Sequence, residues 1–339
     1  MNRIDLSKYE IRTDLIIENN NIKSDYLDEE IINDDLKVTT VNIDNNKSNI
    51  LKKKKGTYIT IEFTDITNYE DREKVKEVLI KQVKKIIELS NIKEKDSCLI
   101  IGLGNRKSTA DSLGPKVIDK ITVTRHLFIL NTNIKEGFRN VSAISPGVMA
   151  DTGIETYDTI TSIVNKIKPN FLIVIDSLAS SSIDRINKTI QITNTGIHPG
   201  SGVGNNRKEL SKETLKIPVI AIGVPTVVDA ITIVNDTTNY LFKHLSYIKN
   251  NYQINKLIFS RGKNYKNDIN KTDLSLDEKK EISGMLGGLS DEDKKNLIGE
   301  VLNSLNYNFI VTPKEIDFLI DNLTNVISDA LNHSLHKEI

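Results

Sequence analysis

Two short apolar runs, each leading into an aspartate, constrain the fold of this chain more than anything else in it. The first is Cys98–Ile101 in CLIIGLGNRKSTADSLGP, where the acid is Asp111, and the second is Phe171–Ile175 in FLIVIDSLASSS, where it is Asp176. A brief apolar run bounded by turn-forming residues fits a strand buried on both faces, as in a parallel sheet. Pro218–Gly223 (PVIAIG) is a third such run, and stretches with helical spacing lie between them. Strands alternating with helices predict an α/β fold, a three-layer α/β/α arrangement with a mostly parallel sheet and peripheral insertions. Open sheets of this kind bind ligands beyond the C-terminal ends of their strands, where both aspartates are expected. Two carboxylates brought together there share a proton and activate water, because like charges at close range cannot both ionise.

Little else in the chain offers competing chemistry. Its 339 residues suffice for a large α/β domain. Basic and acidic side chains balance at 46 each, which gives no electrostatic reason to expect nucleic acid or a membrane surface as partner. The single cysteine, Cys98, excludes an internal disulfide and a multi-cysteine zinc site, and its apolar surroundings suggest a buried structural thiol. No apolar run approaches the about 18 residues of a membrane span. The first residues are too charged for a secretory signal, so a cytoplasmic, reducing compartment is expected.

Residues 1 to 50 are polar, with apolar islands such as Leu15-Ile16-Ile17, and Lys52–Lys55 reads as a solvated flank. Thr57–Phe63 alternates like a strand, and a helix is expected over Asp71–Ser90. Further helices are expected over Ser112–Ile121 and Glu155–Ile167, and short strands over Leu127–Leu130 and Thr189–Ile192. A helix beginning near Val227 should follow the Pro218–Gly223 strand. The polar stretch 250–290 reads as an insertion. A last helix is expected from Pro313 to His336, with Thr312 as N-cap and Glu315 completing a capping box.

Each motif admits more than one reading. Gly102-Leu103-Gly104-Asn105 follows a strand, but Lys107 stands where a dinucleotide motif needs its third glycine. The glycines then serve a tight turn and close backbone approach to a substrate. Asp111 precedes a helical pattern and also fits a helix N-cap. Asp176 closes an apolar run, so its carboxylate is hydrogen-bonded, ion-paired or functional. His198 lies in the glycine-rich TGIHPGSGVG; it fits a metal ligand beside Asp111 and Asp176, a substrate-orienting group, or a turn residue. No serine, Ser177 and Ser180–Ser182 included, sits in a nucleophile elbow.

Read together, the segments GLGNRKSTADSLGP, VTRHLF, EGFRNVSAISPGVMADTGIET, TIQITNTGIHPGSGVGNNRKELSKETLKIPVIAIGVPTVVDA and VTPKEIDFLI resemble the germination protease family of endospore-forming bacteria. YEIRTDLIIE is similar to that family's propeptide junction. The resemblance implies an endopeptidase that begins the degradation of small acid-soluble spore proteins, made as a self-processing zymogen and working as a homotetramer in the forespore and spore core. It implies a core like that of hydrogenase maturation proteases and a catalytic pair at Asp111 and Asp176. A propeptide of residues 1–9 would be lost by cleavage near Tyr9 and Glu10, leaving 10–339 as one peptidase domain with its insertion around 250–290. Substrate and oxyanion contacts are expected at Gly102, Gly104, Asn105, Gly200 and Gly202. No cofactor is expected for the aspartate pair. A divalent metal stays open, through a metal-dependent maturation-type peptidase, as does a non-catalytic peptide-binding scaffold. The chain departs from the family at Ala110, Ser145 and Ser181, where proline, arginine and arginine are usual.

Overall fold

The apolar runs lie side by side at the centre of a mixed sheet. In the computed structural model, which describes residues 13–130, 134, 136–199, 208–251, 272–304 and 309–337, the strands are β1 (Leu27–Asn33), β2 (Leu36–Ile43), β3 (Gly56–Phe63), β4 (Cys98–Gly102), β5 (Val141–Ile144), β6 (Phe171–Ser180), β7 (Thr189–Thr193), β8 (Val219–Asp229) and β9 (Ile310–Val311). The first eight are ordered β1-β2-β3-β7-β8-β6-β4-β5. β4 runs parallel to both β5 and β6, whereas β1, β2, β3, β7 and β8 pair antiparallel in succession. The parallel block carries the two aspartates' strands, and the antiparallel block extends it.

Strand alternation sends the core to both sides of the sheet. From β6, Phe171, Ile173 and Ile175 join the cluster that includes Val83, Leu113, Val117, Leu323 and Ile327, on helices Tyr69–Leu89, Leu113–Ile118 and Ile316–Leu335. Leu172 and Val174 join the opposite cluster, with Leu99, Ile101, Ile160 and Val164, the last two on helix Thr156–Ile167. Helices therefore cover both faces, and the α/β fold is as expected. Cys98 is buried in the first cluster, and burial pushes its thiol far above the ordinary range, which leaves it inert.

The chain divides into two compact units, Arg12–Val227 with Thr312–Ile339, and Val228–Val311. In the second, Val228 and Asp229 pair antiparallel with β9, and helix Ala230–Asn251 packs on helix Asp291–Ser304. Within the stretch read as an insertion, Leu276–Ser283 and Met285–Gly288 are helical, while 252–271 lie outside the described residues. All described residues of the candidate site belong to the first unit.

Several local expectations are corrected. Residues 27–51 hold β1, β2 and a helix, Asn45–Leu51; in β2, Thr39 and Thr40 are buried as β-branched strand residues and supply part of a pattern that a polar count hides. Leu127–Leu130 is no strand: Arg125–Ile129 is helical, closed by local bonds such as Leu127 N–H to Thr124 C=O, and β5 takes the place beside β4. β8 continues to Asp229, so the helix starts at Ala230 rather than near Val227. Thr312 caps nothing; its hydroxyl donates to the Thr226 carbonyl at 2.8 Å, and the last helix begins at Ile316 without a side-chain cap.

That last helix is held at its far end by His336. The ring is buried, its Nδ1 accepts the Arg139 N–H at 3.2 Å, and its Nε2 lies 3.2 Å from the Thr122 carbonyl, so the proton sits on Nε2. Burial lowers the pKa from 6.5, the Thr122 carbonyl opposes this, and the nearby Arg139 charge adds to it. The unfolded chain therefore binds the proton first as pH falls. This contribution to stability is complete above the unfolded value of 6.5 and is lost as pH drops through the lower folded value. Melting temperature should fall over that interval, and more steeply for the natural protein than for His336→Gln. Parallel melting curves against pH would show that His336 is not responsible.

Candidate active site

Asp176 does not end its strand. β6 runs on to Ser180, and it is β4 that ends. The last β4–β6 pair is Gly102 with Ile175, followed by Leu103 N–H to Ile175 C=O at 2.8 Å. Asp176 is thus the first residue of β6 beyond the end of its neighbour. It is 6% exposed, and its Oδ1 accepts the Ser177 N–H at 2.9 Å.

Asp111 reaches the same end of the sheet because three glycines let two backbones touch. A Cβ on Gly102 would overlap the Gly114 carbonyl, and one on Gly114 would lie 2.6 Å from Leu103 N. Helix Leu113–Ile118 therefore starts directly on the end of β4. Just before it, the turn Thr109–Asp111 lies against β6, with Ala110 packed on the core face of Ile173 and Ile175. Gly104 has a φ of +113°, and a Cβ there would overlap the Asp111 carbonyl and approach its Oδ1 to 3.0 Å. Asn105 N–H then donates to both Asp111 C=O and Asp111 Oδ2, each at 2.9 Å. The helix-cap reading of Asp111 fails: Ser112 holds the N-cap position, and no side chain caps that helix. The GLGN turn holds the carboxylate, so Asn105 N–H, expected to face a substrate, is spent on Asp111.

The turn bearing Asp111 sits over the face of Ile173 and Ile175, and alternation turns Asp176 toward the face of Leu172 and Val174. Both residues therefore lie near the end of β4, on opposite faces of β6.

His198 stands at a separate neck. Ile197 and Leu210 exchange two backbone bonds of 2.9 Å, and next to them His198 Nε2 lies 3.0 Å from Glu209 Oε2, with His198 56% exposed. Lys54 pairs with Glu209 and, at 3.1 Å, with Glu213. Gly200 and Gly202 lie outside the described residues, as do Tyr9 and Glu10. Among the described residues, no three His, Cys, Asp or Glu side chains are grouped to hold a metal ion. The lysine run is not simply solvated. Lys54 serves this neck, and Lys53 is half-buried where the charges of Asp14 and Glu18 act on it.

The segment Thr13–Glu18, noted in the sequence only for its apolar island, also belongs to this region. Leu15 and Ile16 are fully buried, and the side chain of Gln191 clamps the segment, accepting Ile16 N–H at 2.7 Å and donating to Asp14 C=O at 3.2 Å. Asp14 N–H bonds Ala179 C=O at 3.2 Å, and Ala179 N–H bonds Asp14 Oδ2 at 3.0 Å. Glu18, whose side chain is 2% exposed, accepts from Ser180 Oγ at 2.6 Å, Ser181 N–H at 2.7 Å and Ser181 Oγ at 3.0 Å, and pairs with Arg185 at 3.3 Å. Ser181 is thus a donor to a buried carboxylate. The only available signal was Glu18 directly after an apolar island; its serine partners lie more than 160 positions away.

Residues 8–339 match the germination protease family, Peptidase_A25. The chain belongs to that family. It is 44% identical over 354 residues to the germination protease of Bacillus licheniformis, covering 99% of this chain and 96% of the relative. It is 45% identical over 353 residues to that of Bacillus cereus, and 44% over 356 residues to that of Priestia megaterium, with the same coverage. Among solved structures, a [NiFe] hydrogenase maturation protease, HycI from Thermococcus kodakarensis, matches 43% of this chain and 80% of its own, at 17% identity and a TM-score of 0.29. Family membership makes this chain a peptidase. No described helix is long and apolar enough to cross a membrane.

Proposed function

We propose that this chain is an endopeptidase that initiates the degradation of small acid-soluble spore proteins at germination, with Asp111 and Asp176 as its catalytic pair. One carboxylate is ionised and takes a proton from water. The other is protonated and donates to the peptide carbonyl or the leaving nitrogen. The observation that carries this reading is the placement of Asp176: buried, one residue past the end of β4, on the strand against which the turn of Asp111 packs. Backbone donors of the glycine loops, at Gly102, Gly104, Gly200 and Gly202, are the proposed source of oxyanion stabilisation. His198, paired with Glu209, is proposed as an orienting group.

Substrate physics agrees with the reading. A chain that is unstructured when free enters a strand-end cleft extended, whereas a folded one must first open locally. The protein is proposed to be made as a zymogen that removes residues up to about Tyr9 or Glu10, and to act as a homotetramer in the forespore and spore core. Incubation with a purified small acid-soluble spore protein, followed by mass spectrometry, should yield a few discrete internal cleavages. Intact substrate after incubation with processed tetramer would refute the proposal. Metal analysis and chelation of the same sample decide the chemistry: stoichiometric metal, with activity lost on its removal, would transfer catalysis from the aspartate pair to a metal centre.

A further inference from the structure

We propose that Ser177 is a substrate-contacting residue whose hydroxyl hydrogen-bonds the backbone of the peptide unit presented for cleavage. The inference rests on the reading of Asp111 and Asp176 as the hydrolytic pair.

Residues 175, 177 and 179 present their backbone groups to one edge of β6. At the near end of that edge, Ile175 C=O is taken by Leu103 N–H, the last bond from the β4 side. At the far end, both the N–H and C=O of Ala179 are taken by Asp14. Between them stands Ser177. Its N–H is held by Asp176 Oδ1, and its Oγ is buried with no hydrogen-bond partner among the described residues. The interval is one residue long, so it accommodates a single peptide unit rather than an added strand.

The side chain lies on the correct face for that role. Alternation puts Ser177 on the side of Ile173 and Ile175, over which the Asp111 turn packs, while Asp176 adjoins it along the strand. A group bonded to Ser177 Oγ is therefore on the face over which the Asp111 turn packs, one residue along the strand from Asp176, whose side chain turns to the other face. The neighbouring hydroxyls behave differently: Ser180 Oγ and Ser181 Oγ both donate to Glu18. A buried hydroxyl without a partner destabilises a fold, and a peptide carbonyl or N–H in this interval would satisfy it.

Two measurements separate a substrate contact from a packing role. Ser177→Ala should lower kcat/KM for a small acid-soluble spore protein by about tenfold, the scale of one lost hydrogen bond. Its melting temperature should be unchanged or higher, because the substitution removes an unsatisfied group. A serine that only supports the fold would lower stability when replaced; a fall in both activity and melting temperature, or unaltered activity, overturns the proposal. Binding is tested apart from chemistry by adding Ser177→Ala to Asp176→Asn and measuring Kd for the same substrate by anisotropy. Weaker binding supports the contact, and an unchanged Kd refutes it. Full activity of Asp176→Asn alone would instead refute the catalytic pair, a failure that this Kd comparison does not share.

Discussion

Asp176→Asn should lower the cleavage rate of a small acid-soluble spore protein by about 100- to 10,000-fold, and Asp111→Asn should do the same, the range that positioned acid–base groups contribute. Asparagine keeps the shape of each side chain and an oxygen able to accept the bonds now made by Ser177 N–H and Asn105 N–H. It removes the capacity to carry and transfer a proton and exchanges one acceptor oxygen for an amide donor. Both variants should therefore remain folded, with melting temperatures close to that of the natural chain. For the buried Asp176, replacing a carboxylate by a neutral amide carries no added desolvation cost. The measurement is initial rate against protein whose fold is verified by circular dichroism. Because the pair works as a unit, the double variant should be little worse than either single one. If one variant retains near-normal rates, that carboxylate has no part in proton transfer. If the single losses multiply in the double variant, the two groups act independently and share no proton.

The aspartates were legible in the sequence because short apolar runs announce buried strands and a carboxylate beside them demands an explanation. The exact relation was not. The run Phe171–Ile175 stops at Ile175, but β6 continues to Ser180 beside β8, and Asp14 and Glu18 bond its last residues, partners that a local pattern cannot reveal. The same limit explains β2, whose Thr39 and Thr40 look polar and pack as buried strand residues. It also explains Thr312, which was expected to cap the last helix but instead donates its hydroxyl to the distant Thr226 carbonyl. Local rules located elements wherever the burial pattern was apolar. They failed where a polar residue had a distant partner.

Gly104 of the GLGN turn and Gly114, which packs against that turn, allow fold and site to be separated by experiment. Gly114→Ala should be the more damaging to the fold. The new Cβ would meet only backbone, Leu103 O, Leu103 N at 2.6 Å and Gly102 C at 2.8 Å, and backbone cannot rotate away as a side chain can. Separating helix Leu113–Ile118 from β4 also loosens Leu113 and Val117 in the main core. Overpacking of this kind costs about 3 kcal/mol, at the high end of its usual range. For a unit of this size that corresponds to a melting temperature roughly 6–12 °C lower. Gly104→Ala acts differently. Its φ of +113° is strained for any L side chain, and the Cβ would press on the Asp111 carbonyl and Oδ1, not on core. Its melting temperature should fall less than that of Gly114→Ala, while its cleavage rate falls by at least about 100-fold, since a displacement near 1 Å at a catalytic group can cost that much. Thermal melts and rates on the two variants give the comparison. If Gly104→Ala loses stability as Gly114→Ala does and keeps its rate, the turn is only a piece of the fold, and the Asn105–Asp111 bonds do not set the position of the catalytic carboxylate.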